Sequence, residues 1–312
     1  MKTRLLGLAL VLLCPVARAA AAGQLRVVAT VPELADLARR IGGDRVQVDS
    51  IARGVEDIHQ VTMKPSFVTK LNRADAVVFL GLSVEHAFLP ALLEAAVNPG
   101  LRSDPVLGCA GAGCIDCSAG IAVLDKPATL SRAEGDIHPQ GNPHYNLDPE
   151  DGVIMARNIA AGLASVSPPD AGLFSRNLQS YLEELKPRLA QWRKVVAPLQ
   201  GLKAVSYHKD VAYLGRFTGI SFIDTVELKP GIGPTPNHLA ELVKRMKAEG
   251  VRLIVREQQY DAKACEWLAG QTGARIAVVG SLAGAFPDTG TFIAMIDHNL
   301  KALLEAVGPG GR

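Results

Sequence analysis

Three histidines and one glutamate stand where alternating strands and helices can bring metal donors together. His59 lies in the loop beyond the stretch Val46 to Ala52, and His144 lies within the loop His138 to Pro149. His208 directly follows Lys203 to Tyr207, and Glu257 directly follows Arg252 to Arg256. In open α/β sheets, ligands sit beyond the carboxyl ends of the strands, which is where all four residues fall. Three neutral imidazoles and one carboxylate make a four-coordinate set that suits Zn²⁺. The His138 to Pro149 loop carries three prolines and one glycine in twelve positions. That content excludes a helix interior or a central strand and holds the loop in one shape, so a ligand there loses little entropy on binding.

The other polar candidates have plainer readings. His138 is an auxiliary ligand or a supporting partner, while His86 and His298 on helices and His238 near a helix start read as packing or dipole residues. Asp288, beside Pro287 and before Thr289 and Gly290, reads as a turn or helix-cap residue.

The elements that must position these groups alternate along the chain. Strands are expected at Leu25 to Ala29, Val46 to Ala52, Ala76 to Leu80, Ile121 to Leu124, Lys203 to Tyr207, Ser221 to Val226, Arg252 to Arg256 and Arg275 to Val279. Helices are expected between them, including one from about Val84 to Val97 and one of some thirty residues from Asp170 to about Gln200 with Pro187 inside it. Such alternation implies parallel sheets with right-handed crossovers. The expected fold is α/β, two small parallel-sheet (β/α)4-type lobes bridged by one long helix, with the metal in the cleft between them. The expected boundaries are 1–22 for a signal peptide, 23–166 for the N-terminal lobe, 167–200 for the linker helix and 201–312 for the C-terminal lobe.

Lys2 and Arg4 precede an apolar run from Leu5 to Leu13, and Ala17-Arg18-Ala19 has the small-x-small pattern of a signal peptidase site. Cleavage near Ala19 to Ala22 would release an exported, periplasmic protein. Cys14 follows Leu13, which is bulkier than lipoprotein processing favours. Cys109, Cys114 and Cys117 have the C-x4-C-x2-C spacing of plant-type iron–sulfur sites, but export favours a disulfide among them. Cys265 reads as a buried thiol on a helix.

Charged residues make up 21% of the chain and the net charge is +2, so nothing favours nucleic acid, and the expected partner is an ion or small molecule. A secreted metallohydrolase would use the same three ligands plus a water. The chain has no His-Glu-x-x-His, however, and Gly280-Ser281-Leu282-Ala283-Gly284 lacks the order of a serine elbow. Gly231-Ile232-Gly233 fails as a dinucleotide motif because Pro236 stands where the third glycine belongs.

Pro65-Ser66 after His59, Asn72-Arg73-Ala74-Asp75, the Gly-Asn-Pro-His-Tyr-Asn-Leu-Asp-Pro segment at 141–149, Ser206-Tyr207-His208 and Arg256-Glu257-Gln258-Gln259 together resemble the zinc- and manganese-specific substrate-binding proteins of bacterial ABC transporters. The resemblance spans nearly the whole chain beyond the leader. It implies a non-enzymatic protein, expected to be a monomer, that delivers its ion to a membrane permease. It places the first-lobe ligands at His59 and His144 and the first second-lobe ligand at His208. Manganese-binding relatives tend to carry a carboxylate at that last position, so the histidine favours zinc over manganese. Two departures stand out. The stretch Val279 to Gly284 lacks the Asp that usually follows the last strand, which leaves Glu257, Asp288 or water for the fourth position. Between Asp125 and His144 only His138 remains of the long His-rich loop found in many zinc-specific members.

Overall fold

The computed structural model describes residues 23–127 and 138–308. The leader therefore lies outside the described residues, and no helix among those described is long and apolar enough to cross a membrane. The first half opens with β1 (Leu25–Ala29), whose last three residues are buried, and α1 (Pro32–Gly42). Pro32 in the first turn of α1 needs no N–H partner, Arg39 and Arg40 in the last turn suit the negative helix end, and Gly43 with φ 57° ends the element. Next come β2 (Val46–Ser50), α2 (Pro65–Asn72), β3 (Ala76–Phe79), α3 (Leu89–Ala96), the short strands β4 (Arg102–Asp104), β5 (Gly108–Ala110) and β6 (Cys114–Asp116), and α4 (Asp151–Val166). β3 is buried at every position, as expected of a strand covered on both faces. The sheet order is β2-β1-β3-β6, all parallel, with β4 and β5 forming a separate antiparallel ribbon.

The long helix α5 (Ala171–Val195) follows, 25 residues or about 37 Å. It buries Phe174, Tyr181, Leu185 and Trp192 and continues through Pro187. Its side chains reach both halves. Asn177 Nδ2 donates to the Ile41 carbonyl of α1, and Trp192 Nε1 donates to Asp297. The second half comprises β7 (Lys203–Ser206), α6 (Ala212–Thr218), β8 (Ser221–Thr225), α7 (Pro236–Glu249), β9 (Leu253–Glu257), α8 (Lys263–Thr272), β10 (Arg275–Val279) and α9 (Phe292–Val307), the last of which carries Asp297. Its sheet is parallel in the order β10-β9-β7-β8. The α/β plan of two parallel-sheet lobes with a long helix between them is therefore the observed one.

Two expected elements differ. Ile121 to Leu124 is not a strand: the Leu124 N–H donates to the Tyr213 hydroxyl on α6 rather than to a neighbouring strand. The fourth strand of the first sheet is instead β6, paired with Val77 to Phe79. It enters through Gly113, where a Cβ would lie 2.5 Å from the Asp75 carbonyl oxygen, so only glycine passes there. The helix expected from Val84 begins only at Leu89. Leu82 and Ser83 take left-handed φ values of 52° and 65°, and Pro90 sets the first turn. Glu85, buried in the intervening turn, accepts the N–H groups of Leu80 and Gly81 and the Thr30 hydroxyl.

The two halves are pinned on both flanks. From α6, Tyr213 donates to the Asn142 carbonyl, and Arg216 pairs with Asp148 and Asp151 at the start of α4. From α1, Glu33 accepts the Ala283 N–H and the Asn146 amide, while Asp36 accepts the Phe292 N–H at the start of α9. A closer approach occurs at Gly54, where a Cβ would lie 2.2 Å from the Gly284 carbonyl carbon and 2.3 Å from the Ala283 oxygen.

Cys109 and Cys114 form the disulfide, which closes the β5–β6 segment, and Cys117 and Cys265 are buried thiols. Burial pushes the Cys117 thiol well up and holds Cys265 at about 12, so both remain protonated at neutral pH.

Candidate metal centre

Each of the three histidines is held by a polar neighbour close to it in sequence. His59 sits in a short turn (Ile58–Gln60) held by Asp57: its carboxylate accepts the His59 N–H at 2.9 Å and the Gln60 side-chain Nε2 at 3.1 Å, and its carbonyl accepts the Gln60 N–H. His144 begins the turn Tyr145–Leu147, and the fully buried Tyr145 anchors that turn by donating to the Leu80 carbonyl at the end of β3. His208 directly follows Tyr207, whose N–H still bonds the Val255 carbonyl of β9, so the ligand leaves the sheet edge in a fixed direction. The Ser206 hydroxyl donates to the His208 carbonyl at 2.6 Å.

One donor atom from each of His59, His144 and His208 lies within 4.8 Å of the others, and among the described residues this is the cluster with the makeup of a metal site. The Nε2 atoms of His59 and His144 are 3.1 Å apart. Two nitrogens bonded to one tetrahedral zinc at 2.0–2.1 Å stand roughly 3.3 Å apart, so this edge is nearly preformed. The rings meet edge to face, with centroids 5.2 to 5.6 Å apart.

Two of the imidazoles have their tautomer set from behind. His144 Nδ1 faces the Asn142 side-chain oxygen at 3.0 Å, and His208 Nδ1 faces Glu227 Oε1 at 2.5 Å. Both partners are acceptors, which assigns the proton to Nδ1 and leaves each Nε2 lone pair for a ligand. The Asn142 amide is itself fixed, since its Nδ2 donates to Asp125 and to the Lys209 carbonyl across the lobe boundary. His59 has no such partner, and its Nδ1 is buried without a hydrogen bond.

Burial, and then the charges of neighbouring imidazoles, lower His59 to about 2 and push His144 well down, so both stay neutral and able to ligate. His208 differs. Burial alone would lower it, but the bond to Glu227 and the charge of Asp210 outweigh burial and hold it above the usual imidazole range. A cation arriving at this site therefore displaces a proton from His208.

Glu257 is placed otherwise than the three histidines. It is the last residue of β9, fully buried, and not a member of the three-histidine cluster. No N–H or hydroxyl group donates to either carboxylate oxygen, and burial, then the charge of the neighbouring Asp210 and a hydrogen bond shared with it, raise its pKa well above the carboxylate range. Asp288 is an exposed turn residue with φ 63°, outside the cluster. His138 stands with its ring 5.1 Å from His59 and 5.9 Å from His144, and His86 stands 6.0 Å beyond it.

Sequence reasoning missed Asp57, Asn142 and Glu227. Asp57 and Asn142 lie two residues before the ligands they support, a spacing visible in the sequence. Glu227 lies just past β8 at the same sheet edge as His208, and the rule that found His208 would have found it too.

Two pockets lead to the cluster. One of about 480 Å³ is lined by Asp57, His59, His208, Ile232 and Tyr260, and one of about 510 Å³ by His138, His144, His208 and Leu228. A separate groove of about 700 Å³ along β8 and α6 contains no histidine.

Residues 27–306 match the family described as zinc-uptake complex component A, periplasmic (ZnuA). The chain belongs to this family. Its members are metal-binding substrate-binding proteins of ABC transporters, not enzymes. The iron-binding protein YfeA of Yersinia pestis is 22% identical over 92% of this chain and 88% of its own length. The manganese ABC transporter substrate-binding lipoprotein PsaA of Streptococcus anginosus is 24% identical over 92% of this chain and 91% of its own. The crystal structure of ZnuA superposes with a TM-score of 0.71 at 25% identity, covering 90% of this chain and 96% of that one. Relatives thus carry names for three different metals around one fold.

Proposed function

We propose that this chain is a periplasmic zinc-binding protein that hands its ion to the membrane permease of an ABC transporter, with His59, His144 and His208 as ligands. The observation that carries the reading is the three-imidazole cluster, two of whose members are held through Nδ1 so that Nε2 is the ligating nitrogen. An all-nitrogen set of neutral imidazoles matches zinc, whereas manganese prefers carboxylate and carbonyl oxygen. The leader 1–22 supports export. Glu257 is proposed as the carboxylate that completes the set: buried beside Asp210 with no N–H or hydroxyl group donating to it, it would give up its proton to an arriving cation. Direct ligation requires the carboxylate to move towards the ion on loading, and water takes the fourth position otherwise.

The test is calorimetric titration of the metal-free protein with zinc and, separately, with manganese. Zinc is expected to bind at one equivalent and more tightly than manganese, and His144→Ala is expected to abolish tight binding. Equal zinc affinities for wild type and His144→Ala would remove the loop from the site. Tighter manganese binding would transfer the chain to the other cargo. In the same assay, an unchanged affinity in Glu257→Gln assigns the fourth position to water.

A further inference from the structure

Glu227 is 3% exposed and serves two donors with two different oxygens. Oε1 accepts the Nδ1–H of His208, and Oε2 accepts the backbone N–H of Gly231 at 3.3 Å. Gly231 belongs to a tight turn at residues 228–232. The turn is closed by the Leu228 N–H to the Ile232 carbonyl at 3.0 Å and the Ile232 N–H to the Lys229 carbonyl at 2.8 Å, and Gly231 has φ 76°. The flanks of this turn, Leu228 at 39% and Ile232 at 45% exposure, face outward. Pro230 lines both of the pockets that reach the histidines, Ile232 lines the one at His59, and Leu228 lines the one at His144. The turn therefore stands as the partition between the two approaches to the metal, and a single carboxylate ties it to a ligand.

We propose that Glu227 is a positioning residue that couples the 228–232 turn to His208, so that a displacement of the turn from outside loosens the ligand and speeds release of the ion. The inference rests on the zinc reading given above. An acceptor-only side chain is required because both of its partners are donors. A carboxylate serves both, while a glutamine has one acceptor oxygen and leaves one donor facing an NH₂ group. The main chain also ties the turn to this strand end, where the Glu227 N–H donates to the Tyr207 carbonyl, but the carboxylate is its hydrogen-bonded link to the His208 ring itself, so turn and carboxylate act in series on the imidazole.

Zinc is loaded onto the full-length protein and its loss is followed on rapid mixing with excess chelator, alongside the melting temperature of each variant. Glu227→Gln is expected to speed zinc loss by roughly 10- to 100-fold, the usual effect of removing a histidine's supporting carboxylate. Gly231→Ala touches no ligand but strains a left-handed position, and it is expected to speed zinc loss about fivefold. In the double variant most of the Gly231→Ala effect is lost, because the side-chain link it acts through is already cut. A Gly231→Ala rate within twofold of wild type, or effects that multiply in the double variant, would overturn the coupling. Glu227→Asp, which keeps two acceptors, is expected to fall between wild type and Glu227→Gln. If Glu227→Gln does not fold, the ordering of wild type, Glu227→Asp and Gly231→Ala decides the matter. Failure of the wild-type protein to hold zinc would instead refute the functional reading itself.

Discussion

Replacing Gly54 by alanine inserts one methyl group at a place where the main chains of the two lobes touch. The added Cβ would lie 2.2 Å from the Gly284 carbonyl carbon, 2.3 Å from the Ala283 oxygen and 2.5 Å from the Ala285 nitrogen, all main-chain atoms that cannot swing aside. Ordinary van der Waals contact begins near 3.4 Å, so the loop carrying Gly54 and the loop after β10 must separate by about 1 Å. Overpacking of this kind costs about 1–3 kcal/mol, and for a chain of this size it lowers the melting temperature by a few degrees. The larger effect should appear at the metal. His59 lies five residues beyond Gly54 on the same loop, whereas His208 belongs to the other lobe, so the wedge acts directly on the distance between ligands. Zinc–nitrogen bonds are fixed near 2.0–2.1 Å, and a ligand misplaced by about 1 Å should reduce zinc affinity on the order of tenfold or more. The assay is competition against a chromophoric chelator together with a thermal melt. Gly270→Ala serves as the control, since nothing lies within 4 Å of the added methyl in α8 and alanine favours the helix. A Gly54→Ala protein that melts lower but binds zinc within twofold of wild type would show that this contact does not set the ligand spacing. One unchanged in both respects would refute the close approach.

The metal-free protein is expected to melt higher at pH 6 than at pH 8. Burial raises Glu33 and Glu85 to about 7 and Asp151 to about 6, with Glu257 higher still, so the folded chain keeps protons that the unfolded chain releases above about 4.5. Stability is thus lost as pH rises through these values. His59 and His144 oppose the trend, since the unfolded chain gains their protons below about 6.5, but the carboxylates outnumber them. Zinc affinity should run the other way and weaken on acidification, because His208 must give up its proton to bind; calorimetry at pH 8, 7 and 6 checks this. Glu85→Ala strips the acceptor from two buried N–H groups and a hydroxyl and should cost roughly 3 kcal/mol or more by chemical denaturation. Loss of the Cys109–Cys114 disulfide, which spans a sequence separation of 5, should cost about 2 kcal/mol and leave zinc affinity within twofold, as Cys109→Ser with Cys114→Ser would reveal.

The three histidines were legible because the rule behind them is topological. Ligands gather past the carboxyl ends of parallel strands, and β2, β7 and the proline-bound loop of His144 could be read from local pattern. Glu257 satisfied the same rule by one residue too few. It is the last residue of β9 rather than the first beyond it, and a residue still on the pleat is aimed by the strand. β6 was hidden for a different reason. Three residues between a disulfide and a bend carry no periodicity, and their place in the sheet is decided by pairing with β3, a contact more than thirty residues away. In Ile121 to Leu124, expected to be a strand, the Leu124 N–H finds its acceptor on Tyr213, in the other lobe. The cysteine pairing likewise depended on the turn between β5 and β6, closed by the Cys114 N–H to the Gly111 carbonyl, which spacing does not encode.

The braces from α5 to Ile41 and to Asp297, with the pins from Tyr213, Arg216, Glu33 and Asp36, leave little freedom for a jaw-like opening. Capture and surrender of cargo then fall to small peripheral segments, and solution scattering should record nearly the same radius for empty and loaded molecules. Discrimination among ions would follow from donor chemistry at a gap of preset width, not from how far a hinge swings.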